Sequence, residues 1–107
     1  MARSLITLVL KKVVRLLVDA NYVSLYQQDV NKRILPEDIG KAIADYPGSL
    51  TYPPDESFDN FEDYGTKEDQ ENFIEFTLWY DNEPSDLTLS ITVYQPDRYA
   101  LDDIRVL

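Results

Sequence analysis

Leu87-Thr-Leu-Ser-Ile-Thr-Val93 alternates apolar and small polar residues without interruption, the period-two pattern of a strand with one face in a core. Turn-forming residues bound it on both sides. Asp81-Asn-Glu-Pro-Ser85 precedes it and predicts a hairpin loop containing Pro84, and Gln95-Pro-Asp97 follows and predicts a tighter turn. Strand signals continue outward in both directions, into the aromatic-rich residues 73–80 and into residues 99–107. The last strand breaks step at Asp102-Asp103, between Leu101 and Ile104, which predicts a bulge. In residues 73–80 either Ile74, Phe76, Leu78 and Tyr80 or Phe73, Glu75, Thr77 and Trp79 face the core. Burial under the helices is the commoner fate of a lone tryptophan; an exposed Trp79 would join Tyr94 in an aromatic patch.

Upstream, the period changes to helical. Across residues 4–19, Ile6, Val9, Leu10, Val13, Leu16 and Leu17 recur at helix spacing, and Leu5, Leu8, Val14 and Val18 widen the apolar face. Ser4, Lys11, Lys12, Arg15 and Asp19 form the narrower polar side, where the three cations invite acidic groups of the same chain. Residues 22–28 add a helical turn or two with Tyr22, Leu25 and Tyr26 inward. A third helix starts at Pro36 with Glu37 and Asp38 at its positive end, lines one face with Ile39, Ala42, Ile43 and Tyr46, and stops at Pro47-Gly48. Gly40 inside it marks close contact with a neighbouring element. Helices followed by a meander predict an α+β fold: N-terminal helices packed on one face of a C-terminal antiparallel sheet of three to four strands. At 107 residues, a single domain spanning 1–107 is expected.

This layout resembles the NTF2-like and cystatin-like superfamily. The likeness is carried by the long first helix over residues 5–18, the second helical region ending at Tyr46-Pro47, and the closing meander ending in Ile104-Arg-Val-Leu107. Residues 85–93 and 101–107 are also similar to the ends of small uncharacterised bacterial proteins. The resemblance implies a pocket between helix and sheet, with an Asp base and Tyr donors for which Tyr22, Tyr26, Asp19 and Asp102 are the nearest candidates. Rings packed inward with the hydroxyl at the surface are the commoner role of such tyrosines.

Composition excludes several chemistries. With no histidine and no cysteine there is no Ser-His-Asp triad, no Cys-His pair, no zinc site of the usual kind and no disulfide framework. The only glycines, Gly40, Gly48 and Gly65, form no phosphate-binding loop. The apolar start ends at Leu10 with Lys11 and Lys12 and lacks a small-residue cleavage site, so it reads as a mature helix. No apolar stretch approaches the ~20 residues needed to cross a bilayer. A cytoplasmic, non-enzymatic protein without cofactor is the expectation.

Residues 54–72 carry the strongest pointer to a partner. Asp55, Glu56, Asp59, Glu62, Asp63, Glu68, Asp69 and Glu71 stand against one cation, Lys67, with Phe58, Phe61 and Tyr64 interspersed, in a chain of net charge -10. Such a segment repels nucleic acid and anionic membrane and attracts basic surfaces. Asp59, Asp63 and Gly65 do not make a calcium loop, because Phe61 falls where an EF-hand needs an oxygen ligand. After a short extended piece over residues 49–52, the segment is too polar for a core element and reads as a long loop, either solvated or a docking surface in which aromatic anchors sit among steering charges, with the aromatics tucking back onto the sheet as the other reading. The leading expectation is a partner-binding surface made of these eight carboxylates and three aromatics. Small size, acidity and missing catalytic residues resemble, in kind, immunity proteins that neutralise a basic bacterial toxin such as a nuclease by occlusion. Two alternatives remain at this point: an NTF2-like pocket lined by Tyr22, Tyr26, Phe76 and Trp79 that binds or isomerises a small apolar ligand, and a homodimeric structural domain.

Overall fold

Helix α1 (Ala2–Val18) turns its widest apolar stripe inward, burying Ile6, Val9, Leu10, Val13, Val14 and Leu17. The computed structural model describes residues 2–66 and 70–106. Two shorter helices follow, α2 (Tyr22–Gln28) and α3 (Pro36–Asp45). Ala20, at φ 57°, turns the chain between α1 and α2, and its amide donates to Leu17 O at 3.1 Å. At Gly40 a Cβ would lie 3.1 Å from the Tyr22 ring, so the small residue lets α2 and α3 approach, as the sequence suggested. Leu25, Ile39 and Ile43 bring both helices into the core formed with α1.

Among the described residues the sheet is antiparallel and has five strands, more than the three to four expected. β3 (Glu71–Tyr80), β4 (Glu83–Tyr94) and β5 (Arg98–Val106) form the meander. The two additions are short: β1 (Leu50–Thr51) pairs with the end of β3 at Tyr80 and Trp79, and β2 (Glu62–Gly65) pairs with its start at Glu75, Ile74 and Phe73. Both occupy the same edge of β3, because its other edge is taken by β4. β1 falls within residues 49–52, which the sequence reads as extended, whereas the four residues of β2 are too few for period-two alternation to register.

The β3–β4 connection is tighter than predicted. Asp81 and Asn82, at φ 53° and 64°, make a two-residue hairpin turn, a conformation their short polar side chains tolerate. Pro84 therefore lies inside β4 opposite Trp79, beside an irregularity in the ladder between Thr77 and Trp79. The predicted bulge is present: Ser90 pairs with Asp103 and Ile91 with Leu101, leaving Asp102 extra. As a result the carboxylates of both Asp102 and Asp103 serve the side of the sheet away from the helices. Asp102 Oδ2 there accepts from Thr92 Oγ1 at 2.6 Å and Oδ1 pairs with Arg33 at 3.2 Å.

Ile74, Phe76, Leu78 and Tyr80 of β3 face the helices, with Leu87, Leu89, Ile91 and Val93 of β4 and Leu101 and Ile104 of β5. Trp79 is half-buried on the outer face, against the commoner expectation of burial under the helices. It pairs with Pro84 while Tyr94 pairs with Glu71, so the two aromatics sit at opposite ends of the sheet and make no common patch. On α1, Leu8 is the exception to the wide apolar face at 63 % exposed, between one groove lined by Arg3, Ser4, Thr7 and Asp59 and another by Leu5, Val9, Lys12, Pro96 and Asp97. Among the described residues no helix is long and apolar enough to cross a membrane.

Two buried phenols tie helices to strands. Tyr80 Oη donates to Ile43 O and Tyr99 Oη donates to Leu25 O, each at 2.7 Å. Burial, with Tyr22 and Tyr46 adding, pushes Tyr80 up from 10.0 to about 12; burial and the Asp29 charge push Tyr99 higher still. Both stay neutral in the fold at a pH where an unfolded tyrosine ionises. Their contribution is whole below pH 10 and is lost as pH rises toward 12, at about 1.4 kcal/mol per pH unit for each. Thermal melts between pH 9 and pH 12 are therefore expected to fall steeply above about pH 10, and less steeply in Tyr80→Phe.

Candidate functional site

The acidic segment is not one loop. After Pro53, which is buried, residues 55–59 form a 3-10 turn and residues 62–65 form β2. Their aromatics explain this: Phe58 is 0 % and Phe61 6 % exposed, and Phe58 stacks on Phe76 with ring centroids 5.1 Å apart at 9°. In so short an acid-rich stretch, burying two phenyl rings is the main available source of stabilisation, at about 2–3 kcal/mol each.

A stripe on α1 clasps the segment from outside. Arg3, Thr7, Lys11 and Arg15 recur every fourth residue and so share one helix face. The Arg3 guanidinium lies 4.1 Å over Phe61, Lys11 lies 5.9 Å over Phe58 and Arg15 lies 3.9 Å over Tyr52. Thr7 Oγ1 donates to Phe58 O at 3.4 Å and Arg3 Nη2 to Asp59 O at 2.8 Å. The sequence had suggested that the helix cations pair with acidic groups of the chain. Lys11 does approach Asp55, at 3.8 Å, and Arg15 reaches Asp19, at 3.7 Å. Rings and backbone carbonyls supply the other contacts of the stripe.

Asp55, Glu56, Asp59, Glu62 and Asp63 are exposed, and Glu71 is half-buried at the start of β3. Glu68 and Asp69 lie outside the described residues. Of the three predicted anchors, Phe58 and Phe61 are core residues and not surface anchors, because their rings complete the packing between α1 and β3. Tyr64 alone is exposed, at 61 %. Its Oη donates to Glu75 Oε1 at 2.8 Å and its ring lies 5.9 Å from Phe73. That hydrogen bond, then burial and the charges of Glu75 and Glu62, raises the Tyr64 phenol above its usual range. Asp63 turns inward on its own segment, with Oδ1 accepting from the Gly65 amide at 2.9 Å and from Asn72 Nδ2 at 3.1 Å.

The profile of a family described as a domain of unknown function, DUF7668, matches residues 14–107. The chain belongs to this family. The DUF7668 span holds every strand among the described residues and the whole acidic segment, whereas Arg3, Thr7 and Lys11 of the clasp precede it. No curated protein matches the chain, and no solved structure does.

The residues of the pocket alternative do not converge. Phe76 faces the helices while Trp79 is on the opposite side of the sheet, and Tyr22 packs over Gly40. Tyr22, Tyr26, Phe76 and Trp79 therefore do not line one cavity. What the fold presents outward is a ledge of carboxylates, continuing through Glu62 and Tyr64 to Glu75 and the outer face of the sheet.

Proposed function

We propose that this chain binds a basic protein and acts, in kind, as immunity proteins of bacterial toxin systems do, laying an acidic surface over a cationic toxin such as a nuclease and occluding it. One observation carries the reading: two of the three aromatics of the acidic segment, Phe58 and Phe61, are anchored inward, so Asp55, Glu56, Asp59 and Glu62 project from a fixed backbone. Charges held in place cost less ordering entropy on binding than the same charges on a floppy loop. With a net charge of -10, the field around the chain attracts cationic partners and speeds their encounter.

The test uses Asp55→Asn, Glu56→Gln, Asp59→Asn and Glu62→Gln together. Asp63 is left intact because its carboxylate caps Gly65 and holds Asn72. The tagged variant and wild type are used to capture proteins from the native lysate. A basic protein retained by the wild type alone, and losing its activity in the complex, is the expected result. Its association rate should fall tenfold or more, on the order of the steering effect, in the variant or at high salt. Equal retention by both proteins would place the interface elsewhere, and a rate indifferent to salt would remove the electrostatic part of the reading.

A further inference from the structure

On the outer face of the sheet, one row of cross-strand neighbours runs Glu75 on β3, Ser90 on β4 and Asp103 on β5. Ser90 is 2 % exposed, and its Oγ is a buried polar side-chain atom without a hydrogen-bond partner among the described residues. A buried hydroxyl left unpaired costs about 1–3 kcal/mol, so a sequence that places serine there keeps it against stability. Leu89 and Ile91 on either side point into the core, which puts the Ser90 side chain on the outer face, in the row flanked by Glu75 and Asp103.

We propose that this row is the seat of an arginine side chain supplied by the basic partner. The inference rests on the reading of the chain as a binder of basic proteins and locates the contact that anchors it. Among the described residues no three acidic groups gather closely enough to hold a metal ion. Carboxylates spread across neighbouring strands suit a wider cation. A guanidinium has five donors in a plane, enough to reach the Ser90 hydroxyl and a flanking carboxylate together. Tyr64, hydrogen-bonded to Glu75 and 61 % exposed, offers a ring beside the row. The chain uses the same chemistry internally, with Arg3 over Phe61 and Arg15 over Tyr52.

The carboxylates already have contacts, and these leave capacity. Asp103 Oδ1 accepts from the Ile104 amide at 2.9 Å, and Oδ2 is 3.5 Å from Arg105 Nε, both side chains being about half exposed at 47 % and 59 %. An ionised carboxylate has about four lone-pair sites, so neither Asp103 nor Glu75 is saturated. Arg105 marks the row as a place where a guanidinium sits next to Asp103, and the incoming one takes the side toward Ser90.

Hexa-arginine and hexa-lysine peptides, titrated at low salt into 15N-labelled wild type and Ser90→Ala, test the seat. The wild type should bind hexa-arginine with its largest amide shifts at residues 75, 90 and 103, and should bind hexa-lysine more weakly. Ser90→Ala should melt no lower than wild type, because an unpaired hydroxyl is removed, yet bind hexa-arginine about tenfold more weakly through loss of a charge-assisted hydrogen bond. A merely structural serine would not lower affinity while leaving stability intact. Unchanged affinity in Ser90→Ala, shifts confined to residues 55–63, or equal binding of hexa-lysine would each overturn the seat and leave the acidic docking reading standing. No binding of either peptide to the wild type would overturn both.

Discussion

Phe58→Ala is expected to lower the unfolding free energy by about 3–5 kcal/mol, the cost of emptying a large buried site that cannot fully collapse. The ring is 0 % exposed, stacks on Phe76 and lies 5.3 Å from Tyr52, so its removal opens a void between α1 and β3. Domains of this size are stable by only about 5–15 kcal/mol, and the loss would be a large part of the total. Denaturant titration reads it directly. Binding should suffer as well, although no charge is altered, because the backbone carrying Asp55, Glu56 and Asp59 loses the ring that fixes it. Tyr64→Ala is the control: at 61 % exposure it should cost about 1 kcal/mol or less. If Phe58→Ala cost no more than that, the segment would be a solvated loop and the platform would not exist.

That contrast within one acidic stretch shows where the sequence could be read and where it could not. Strong, long patterns were legible: the stripe of α1, the alternation of β4, and the bulge at Asp102-Asp103, where a broken period has no other simple cause. Phe58 and Phe61 are visible as aromatics that could anchor a partner or tuck back onto the sheet, but carboxylates on both sides dilute any hydrophobic window, so the sequence does not choose between the two. A signal was present nonetheless. The two rings are three residues apart, the spacing of a tight helical turn, and Arg3, Thr7, Lys11 and Arg15 repeat every four residues on the facing helix. Neither pattern decides anything alone; together they describe two surfaces that match.

The outer face of the sheet was less legible. Alternation divides β3 into two faces without saying which is inward, and the choice is made by the partner helices. Ser90 looked like any polar residue of a half-exposed strand, since its burial comes from neighbours that are distant in sequence. The hairpin is tighter than its sequence suggests for a local reason: Pro84 favours a loop that reaches past it, whereas Asp81 and Asn82, both tolerant of positive φ, close the turn before it.

Asp29→Ala is expected to cost about 3 kcal/mol, the second large effect, through a contact with no local signature. Asp29 sits just past α2, yet it is 2 % exposed. Its Oδ1 accepts from the amides of Asn31 at 2.9 Å and Lys32 at 3.0 Å, shaping the turn in which Lys32 takes φ 52°. Oδ2 accepts from the Leu101 amide at 3.0 Å, joining that turn to β5 beside the bulge. Removing the carboxylate affects the three donors unequally. Asn31 and Lys32 are exposed and can turn to water, but Leu101 is 0 % exposed, and its amide would be left buried and unpaired. Asn at position 29 retains one acceptor oxygen, so Asp29→Asn should fall between wild type and alanine. Hydrogen exchange at the Leu101 amide separates this account from a general loosening: it should accelerate in Asp29→Ala beyond the amides of Leu89 and Ile91. Uniform acceleration would mean that Asp29 contributes to the whole fold without pinning β5. A cost under about 0.5 kcal/mol, as at an ordinary surface position, would mean that it pins nothing. Since the same bulge aims Asp102 and Asp103 at the outer face, a loosened Leu101 should also weaken arginine binding there while every group that contacts the ligand is unchanged.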